Sequence, residues 1–160
     1  MIAGLALIAV AGVVLTVVLL RRRYLVVTVE GESMLPSYLP GERVLVRRTP
    51  PDSLRAGQVV VLSGFAHAPP GKRPKDPGVS GRSAIDLSLS PRWIIKRVTA
   101  VPGDPIPRDT VPALRTAPGT RVPAGRLVVL GDNPDRSHDS RLAGYMTADR
   151  LFGVVLRKLG

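Results

Sequence analysis

One serine and one lysine in this sequence are placed where they could work as a proton-transferring pair. Ser33 lies in a turn-rich segment behind a short apolar run, and Lys96 is flanked by isoleucine and valine residues. A serine hydroxyl becomes a good nucleophile when an adjacent base takes its proton, and a neutral lysine can be that base. The pair therefore predicts attack by a serine oxygen on a carbonyl carbon.

The residues around Lys96 indicate how it would lose its proton. Side chains alternate along a strand, so Ile94 and Val98 would share the face of Lys96, while Ile95 and Arg97 would point the other way. Burial among aliphatic side chains destabilises an ammonium group. Lowering the pKa from about 10.4 to about 8 would cost roughly 3 kcal/mol. A purely structural strand has no reason to carry that cost.

A third segment, residues 131–141, adds further polar groups to these two. It reads Gly-Asp-Asn at its start and ends on Ser137, His138, Asp139, Ser140 and Arg141. Each feature has an ordinary reading, because turn serines usually bond nearby backbone, Asp or Asn beside Gly makes turns, and strand lysines usually keep the amine in water. The combination, rather than any one residue, points to catalysis.

Other chemistries find less support in the composition. His67 lies in a Pro-rich stretch and is expected to be solvated, whereas the position of His138 leaves a direct catalytic role open. Two isolated histidines without any cysteine argue against a zinc site, and no phosphate-binding glycine loop is present. We expect neither a metal ion nor a cofactor.

The elements that must position these groups begin with an apolar segment. Residues 2–20 contain no charged side chain, and a helix of this length spans about 28 Å, close to the roughly 30 Å hydrocarbon core of a bilayer. We predict a transmembrane anchor over residues 1–23. A cleavable signal peptide and a buried helix are the alternatives, but Arg21 to Arg23 suit an anchor at a phospholipid surface.

The remainder, residues 24–160, is expected to be one mainly β catalytic domain. Proline and glycine are abundant in two insertions, 64–91 and 102–125, the first of which we interpret as a mobile surface loop. No long amphipathic periodicity supports a helical bundle. Runs rich in β-branched residues predict strands at 24–30, 43–48, 58–63, 93–101, 126–131 and 150–158.

The charge of the chain bears on its partners. Lysine and arginine outnumber aspartate and glutamate by 23 to 12, for a formal net charge of +11. Such a surface could serve nucleic acid or anionic lipid. We favour the lipid bilayer and expect no nucleic acid, because the chain carries the apolar segment. The absence of cysteine leaves the redox compartment open.

The three segments, in this order behind a hydrophobic helix, resemble the conserved boxes of the type I signal peptidase family, which includes the mitochondrial inner-membrane peptidases. The first box, Ser-Met-x-Pro-Thr/Ser, matches residues 33–37. The second, Lys-Arg-Val-x-x-x-Pro-Gly-Asp, matches residues 96–104, and the third, Gly-Asp-Asn followed by Ser-x-Asp-Ser-Arg, matches residues 131–141. The resemblance implies a signal-peptidase-like core of antiparallel β-sheet with one N-terminal transmembrane helix.

The resemblance also implies a role for each matched side chain. Ser33 would be the nucleophile and Lys96 the general base, Ser137 would hydrogen-bond and orient Lys96, and Asp139 and Arg141 would form a supporting ion pair. The implied protein is a membrane-bound serine endopeptidase that removes signal peptides from exported precursor proteins.

The implied location is the plasma membrane, with a single pass and the catalytic domain outside the cytoplasm. Arg21 to Arg23 argue for the opposite orientation, because basic residues beside a membrane helix tend to stay on the cytoplasmic side. We follow the family in this conflict.

One position departs from part of the family. Some bacterial members have a serine two residues before the nucleophile, and its hydroxyl is a second donor to the oxyanion. This chain has Gly31 there, as other members do. The Ser33 backbone N–H would be one donor, and the second is left unassigned.

Two other functions remain as alternatives. Self-cleaving repressors of the DNA-damage response use a Ser-Lys pair on a related β-fold, but they are soluble, and residues 2–20 argue against them. A non-catalytic, membrane-anchored basic module would require the three boxes to match by coincidence.

Overall fold

A computed structural model of the protein describes residues 12–15, 21–64 and 93–159. A short helix, α1, covers Ser140–Ala143, and single 3-10 turns lie at Pro51–Ser53, Pro112–Leu114, Pro134–Arg136 and Ala148–Arg150. The strands are β1 (Tyr24–Thr28), β2 (Arg43–Arg47), β3 (Val59–Ser63), β4 (Trp93–Ala100), β5 (Arg126–Leu130), β6 (Met146–Thr147) and β7 (Leu151–Leu159). Six of them confirm the predicted strands. The two-residue β6 was not predicted, because so short a strand has no periodicity to detect.

The strands form one sheet in the order β1-β2-β7-β3-β4-β5-β6, and all neighbouring pairs are antiparallel. The prediction of a mainly β, antiparallel core is therefore confirmed. The register shifts in the β2–β7, β3–β7 and β4–β5 pairs. Such bulges bend strands and increase their twist, which curls the sheet.

The central strands are covered on both faces by apolar side chains. In β3, Val59 and Val61 belong to a first cluster, and Val60 and Leu62 to a second cluster on the opposite face. All four are buried, which explains why this strand has no polar alternation. The first cluster also holds Met34, and the second holds Val98. Together the two clusters make the centre of the sheet a rigid support.

The second Pro-rich insertion, 102–125, packs a core of its own. Four of its residues, Ile106, Val111, Leu114 and Val122, are buried against Ala100 and Val128 of the sheet. A β-bridge joins Pro105 and Arg121, which closes the insertion at its base. This insertion therefore covers the far end of β4 and β5.

Two predictions fall largely outside the described residues. The apolar segment 2–20 is described only at residues 12–15, which are helical, as are residues 21–23. Among the described ranges, none of the helices has the length and apolar character needed to span a bilayer. The predicted surface loop 64–91 is described only at its first residue, and His67 lies outside the description.

Candidate active site

Ser33 lies in a turn that follows β1, and the next residue, Met34, anchors this turn. Met34 is only 1% exposed and packs in the first cluster, so it fastens the turn to the core. Backbone bonds close the turn, from Leu35 N–H to Glu32 C=O at 3.2 Å and from Tyr38 N–H to Met34 C=O at 2.9 Å. Ser33 itself is half-buried.

Gly31 takes part in this turn through its backbone conformation. Its φ is +75°, and a Cβ built there would meet no atom within 4 Å. The restriction is therefore conformational rather than steric, since side chains other than glycine rarely adopt such a φ. A serine at this position would strain the turn as the chain builds it, which accounts for the glycine.

Lys96 lies in β4 on the apolar face that the alternation predicts. It pairs with Val60 of β3, which belongs to the second cluster together with Val98, whereas Ile95 lies in the first cluster. Lys96 is 4% exposed. Desolvation is the main cause that lowers its pKa, and the charge of Arg141 lowers it further, while Asp139 and Asp132 oppose the shift. Lys96 therefore has the buried, apolar surroundings that the sequence predicts.

Gly131 brings the three sequence segments together. Arg97 pairs with Leu130, so continuing the antiparallel register places Gly131 beside Lys96. A Cβ on Gly131 would lie 2.5 Å from the Ser33 carbonyl oxygen and 2.6 Å from the Ser137 Cβ. Only a glycine allows these groups to approach so closely. The Ser33 turn, the Lys96 strand and the third segment therefore converge at one point.

Asp139 is the centre of a hydrogen-bonded group behind this point. Its side chain is completely buried, and its Oδ2 accepts from the Gly131 N–H at 2.8 Å and from the Ser137 Oγ at 2.5 Å. Arg141 donates to the same oxygen from Nη1 at 2.8 Å, which forms an ion pair. The other carboxylate oxygen accepts from the Arg141 N–H at 3.0 Å and caps α1.

A second ion pair was missed by sequence reasoning. Arg97 donates to both oxygens of Asp132, at 2.8 and 2.7 Å, and donates from Nη1 to the Gly57 carbonyl at 3.0 Å. The hydrogen bond from Arg97 lowers the pKa of Asp132, and one from Ser37 acts in the same direction. Both partners stand in matched boxes, but their spacing of 35 residues carries no signal that they pair.

Two other polar groups complete the description. Asn133, also missed by sequence reasoning, bonds to the turn that carries Ser33. His138 is exposed, in contrast to the buried Asp139 that follows it. Within the ranges that the structure describes, no three His, Asp or Glu side chains are grouped so that they could hold a metal ion.

Comparison with known proteins adds two findings to this geometry. The family model described as "Signal peptidase, peptidase S26" matches residues 2–113 and 107–158. A protein of Synechocystis sp. named "Probable signal peptidase I-1" is 26% identical over an alignment of 149 residues. The match covers 80% of this chain and 67% of that protein. The family match spans both the Ser33 turn and the group around Asp139.

Proposed function

The chain belongs to the signal peptidase family, peptidase S26, and from this premise we propose that it removes signal peptides from exported precursor proteins with Ser33 and Lys96 as a catalytic dyad. Membership makes the chain a peptidase of the signal peptidase type. The choice of serine and lysine, and attachment to a membrane, are the finer parts of the proposal.

The observation that carries the dyad is the state of Lys96. A lysine that is 4% exposed and whose pKa is lowered by desolvation can be neutral at a lower pH than a solvated one. The convergence at Gly131 supports the pairing, because the Ser33 carbonyl approaches Gly131 and the register continued from Arg97 and Leu130 sets Gly131 beside Lys96. A solvated strand-edge lysine would have neither property.

The reaction follows from these positions. Neutral Lys96 accepts the proton of the Ser33 hydroxyl as the serine oxygen attacks the carbonyl carbon of the scissile bond. The Ser33 backbone N–H stabilises the negative oxygen of the tetrahedral intermediate. The Lys96 ammonium then gives its proton to the departing amine, and the neutral amine that remains activates the water that hydrolyses the acyl-enzyme.

The substrates of this proposal are precursor proteins with signal peptides, and its second partner is the lipid bilayer. Residues 1–23 would anchor the chain in the plasma membrane by a single pass, with residues 24–160 outside the cytoplasm. Protease added to intact cells or spheroplasts should digest that domain. Protection of the domain until the membrane is opened would reverse the orientation.

The experiment for the dyad is cleavage of a reporter precursor by the full chain in lipid. Ser33→Ala and Lys96→Ala should each abolish cleavage, and Lys96→Arg should fail too, because a guanidinium stays protonated. Ser53→Ala and Lys158→Ala are matched controls, since the Ser53 hydroxyl donates to the nearby Pro50 carbonyl and Lys158 lies in an exposed pair with Glu42. Normal cleavage by any of the three active-site variants would refute the dyad.

A further inference from the structure

Asn133 is joined to the Ser33 turn by two hydrogen bonds. Its backbone N–H donates to the Ser33 carbonyl at 3.0 Å, and its side-chain Nδ2 donates to the Glu32 carbonyl at 3.1 Å. Two successive carbonyl groups of the turn are therefore held by a single residue that lies about a hundred positions further along the chain.

The contact with the Glu32 carbonyl also bears on the other end of the same peptide group, the Ser33 N–H. The Glu32–Ser33 peptide bond is trans. In a trans peptide the C=O and N–H lie in one plane and point in opposite directions. Holding the Glu32 oxygen in place therefore also sets the direction of the Ser33 N–H, on the opposite side of the same plane.

Among the described residues, few contacts from outside the turn besides Asn133 hold this plane. The Glu32 side chain is 54% exposed, and its pair with Arg136 is 3.7 Å long. The bond from the Leu35 N–H to the Glu32 carbonyl comes from within the turn itself and moves with it. The Nδ2 of Asn133 connects the plane to the sheet, because residue 133 follows β5 and its own backbone is bonded to Ser33.

On the premise of the proposed Ser33 chemistry, we propose that Asn133 is a positioning residue that aims the Ser33 backbone N–H at the developing oxyanion. Asn133 acts through the Glu32 carbonyl and not on the substrate. A preorganised donor stabilises the transition state because no reorientation is needed when the charge forms. Loss of the Nδ2 donor should free the peptide plane to rotate and weaken this stabilisation.

The test removes the side-chain donor and keeps the backbone bond. Asn133→Ala and Asn133→Asp both retain the N–H that donates to Ser33, and the aspartate keeps the shape while placing an oxygen against the Glu32 oxygen. Assayed on the full chain in lipid, both should lower kcat about tenfold to a hundredfold. KM should stay within about twofold, and in Asn133→Ala, which adds no charge, the pH at which Lys96 becomes active should not move, because neither substrate binding nor the base is altered.

A peptide aldehyde gives a readout that a structural role would not move. The Ser33 oxygen adds to the aldehyde carbon, the proton of the hydroxyl ends on Lys96 or on the new oxygen, and that oxygen occupies the oxyanion position. The Asn133 variants should bind the aldehyde more weakly by the same factor as their loss in kcat/KM. The corresponding peptide alcohol forms no adduct, and it should bind the Asn133 variants as tightly as it binds the unmodified enzyme.

Arg136→Ala is the matched control, because it removes the side-chain contact to Glu32 and leaves both Asn133 bonds in place. It should retain kcat and aldehyde affinity. Unchanged kcat in both Asn133 variants, or equal weakening of aldehyde and alcohol, would overturn the positioning role. If one variant does not fold, the same comparison on the other decides. Cleavage by Ser33→Ala would instead overturn the proposed dyad, so the two failures are distinguishable.

Discussion

The Ser137 hydroxyl donates a hydrogen bond of 2.5 Å to the buried carboxylate of Asp139. A hydroxyl has one proton, so Ser137 has only lone pairs left to offer any other partner. If Ser137 orients Lys96, as the family resemblance implies, it does so by accepting from a lysine N–H. That arrangement would leave the lone pair of the neutral amine free for the proton of Ser33.

Ser137→Ala tests whether this hydroxyl orients Lys96 as a hydrogen-bond acceptor. The variant should lower kcat about tenfold to a hundredfold, because the amine loses the acceptor that orients it. Ser140→Ala is the contrast, since its buried Oγ accepts from the Val129 N–H at 3.0 Å and its loss should cost about 1 to 3 kcal/mol of stability with kcat retained. Reporter cleavage and urea unfolding measure the two effects. Full kcat in Ser137→Ala would contradict the assigned orientation.

Arg141→Met should destabilise the fold by about 3 kcal/mol, because it leaves a completely buried carboxylate without its counter-charge. The double variant Asp139→Asn with Arg141→Met should recover part of that loss, since no charge is then left unpaired. Urea unfolding of the single and double variants makes the comparison. The exposed pair of Lys158 and Glu42 is the control, and Lys158→Met should change stability little. Equal stability of Arg141→Met and the unmodified chain would be the contrary result.

Lys96→Met should stabilise the protein, and the gain should depend on pH. Desolvation lowers the pKa of Lys96 in the folded chain from its ordinary value of 10.5, so the unfolded chain binds more protons in the interval between the two values. The stability of the unmodified chain therefore rises with pH through that interval. Below the folded pKa the cost of burying the ammonium is fully present, and there the gain from methionine is largest.

The measurement for Lys96→Met is urea unfolding at a series of pH values up to about 10.5, the ordinary pKa of a lysine. The difference between variant and unmodified chain should shrink as the pH approaches that value. Ser33→Ala removes no group that titrates in this interval and should follow the unmodified chain. If the gain in stability from Lys96→Met did not change with pH, burial would not lower the pKa of Lys96 in the folded chain.

Gly131→Ala should abolish cleavage and destabilise the fold. The new Cβ would lie 2.5 Å from the Ser33 carbonyl oxygen, so the Ser33 turn or the Ser137 segment must move. Gly41→Ala separates this steric effect from backbone strain, because Gly41 has a φ of +89° and no atom within 4 Å of a Cβ. That control should lose about 1 kcal/mol and retain kcat. Cleavage at the normal rate by Gly131→Ala would mean that the three segments do not meet there.

The regular parts of the fold were predictable because their causes are local. Period-two alternation places Lys96 on the face of Val98, and β-branched runs such as 43–48 and 58–63 favour strands. The insertion 102–125 shows the limit of this reasoning. Its proline content indicated a loop, but the burial of Ile106 and Val111 depends on the strands that they cover.

Residue type and local pattern made Ser33 and Lys96 candidates, and the resemblance of three short segments to the family's boxes added the segment that contains Asp139. The contacts that join them were not predictable in this way, since they link residues far apart in the chain and depend on the register of antiparallel strands. Gly131 and Asn133 look like turn residues in the sequence. Only the folded chain brings them against the carbonyl groups of Ser33 and Glu32. Gly131 lets two backbones approach closely because it has no side chain, and the backbone and side-chain amides of Asn133 donate to the two carbonyl groups.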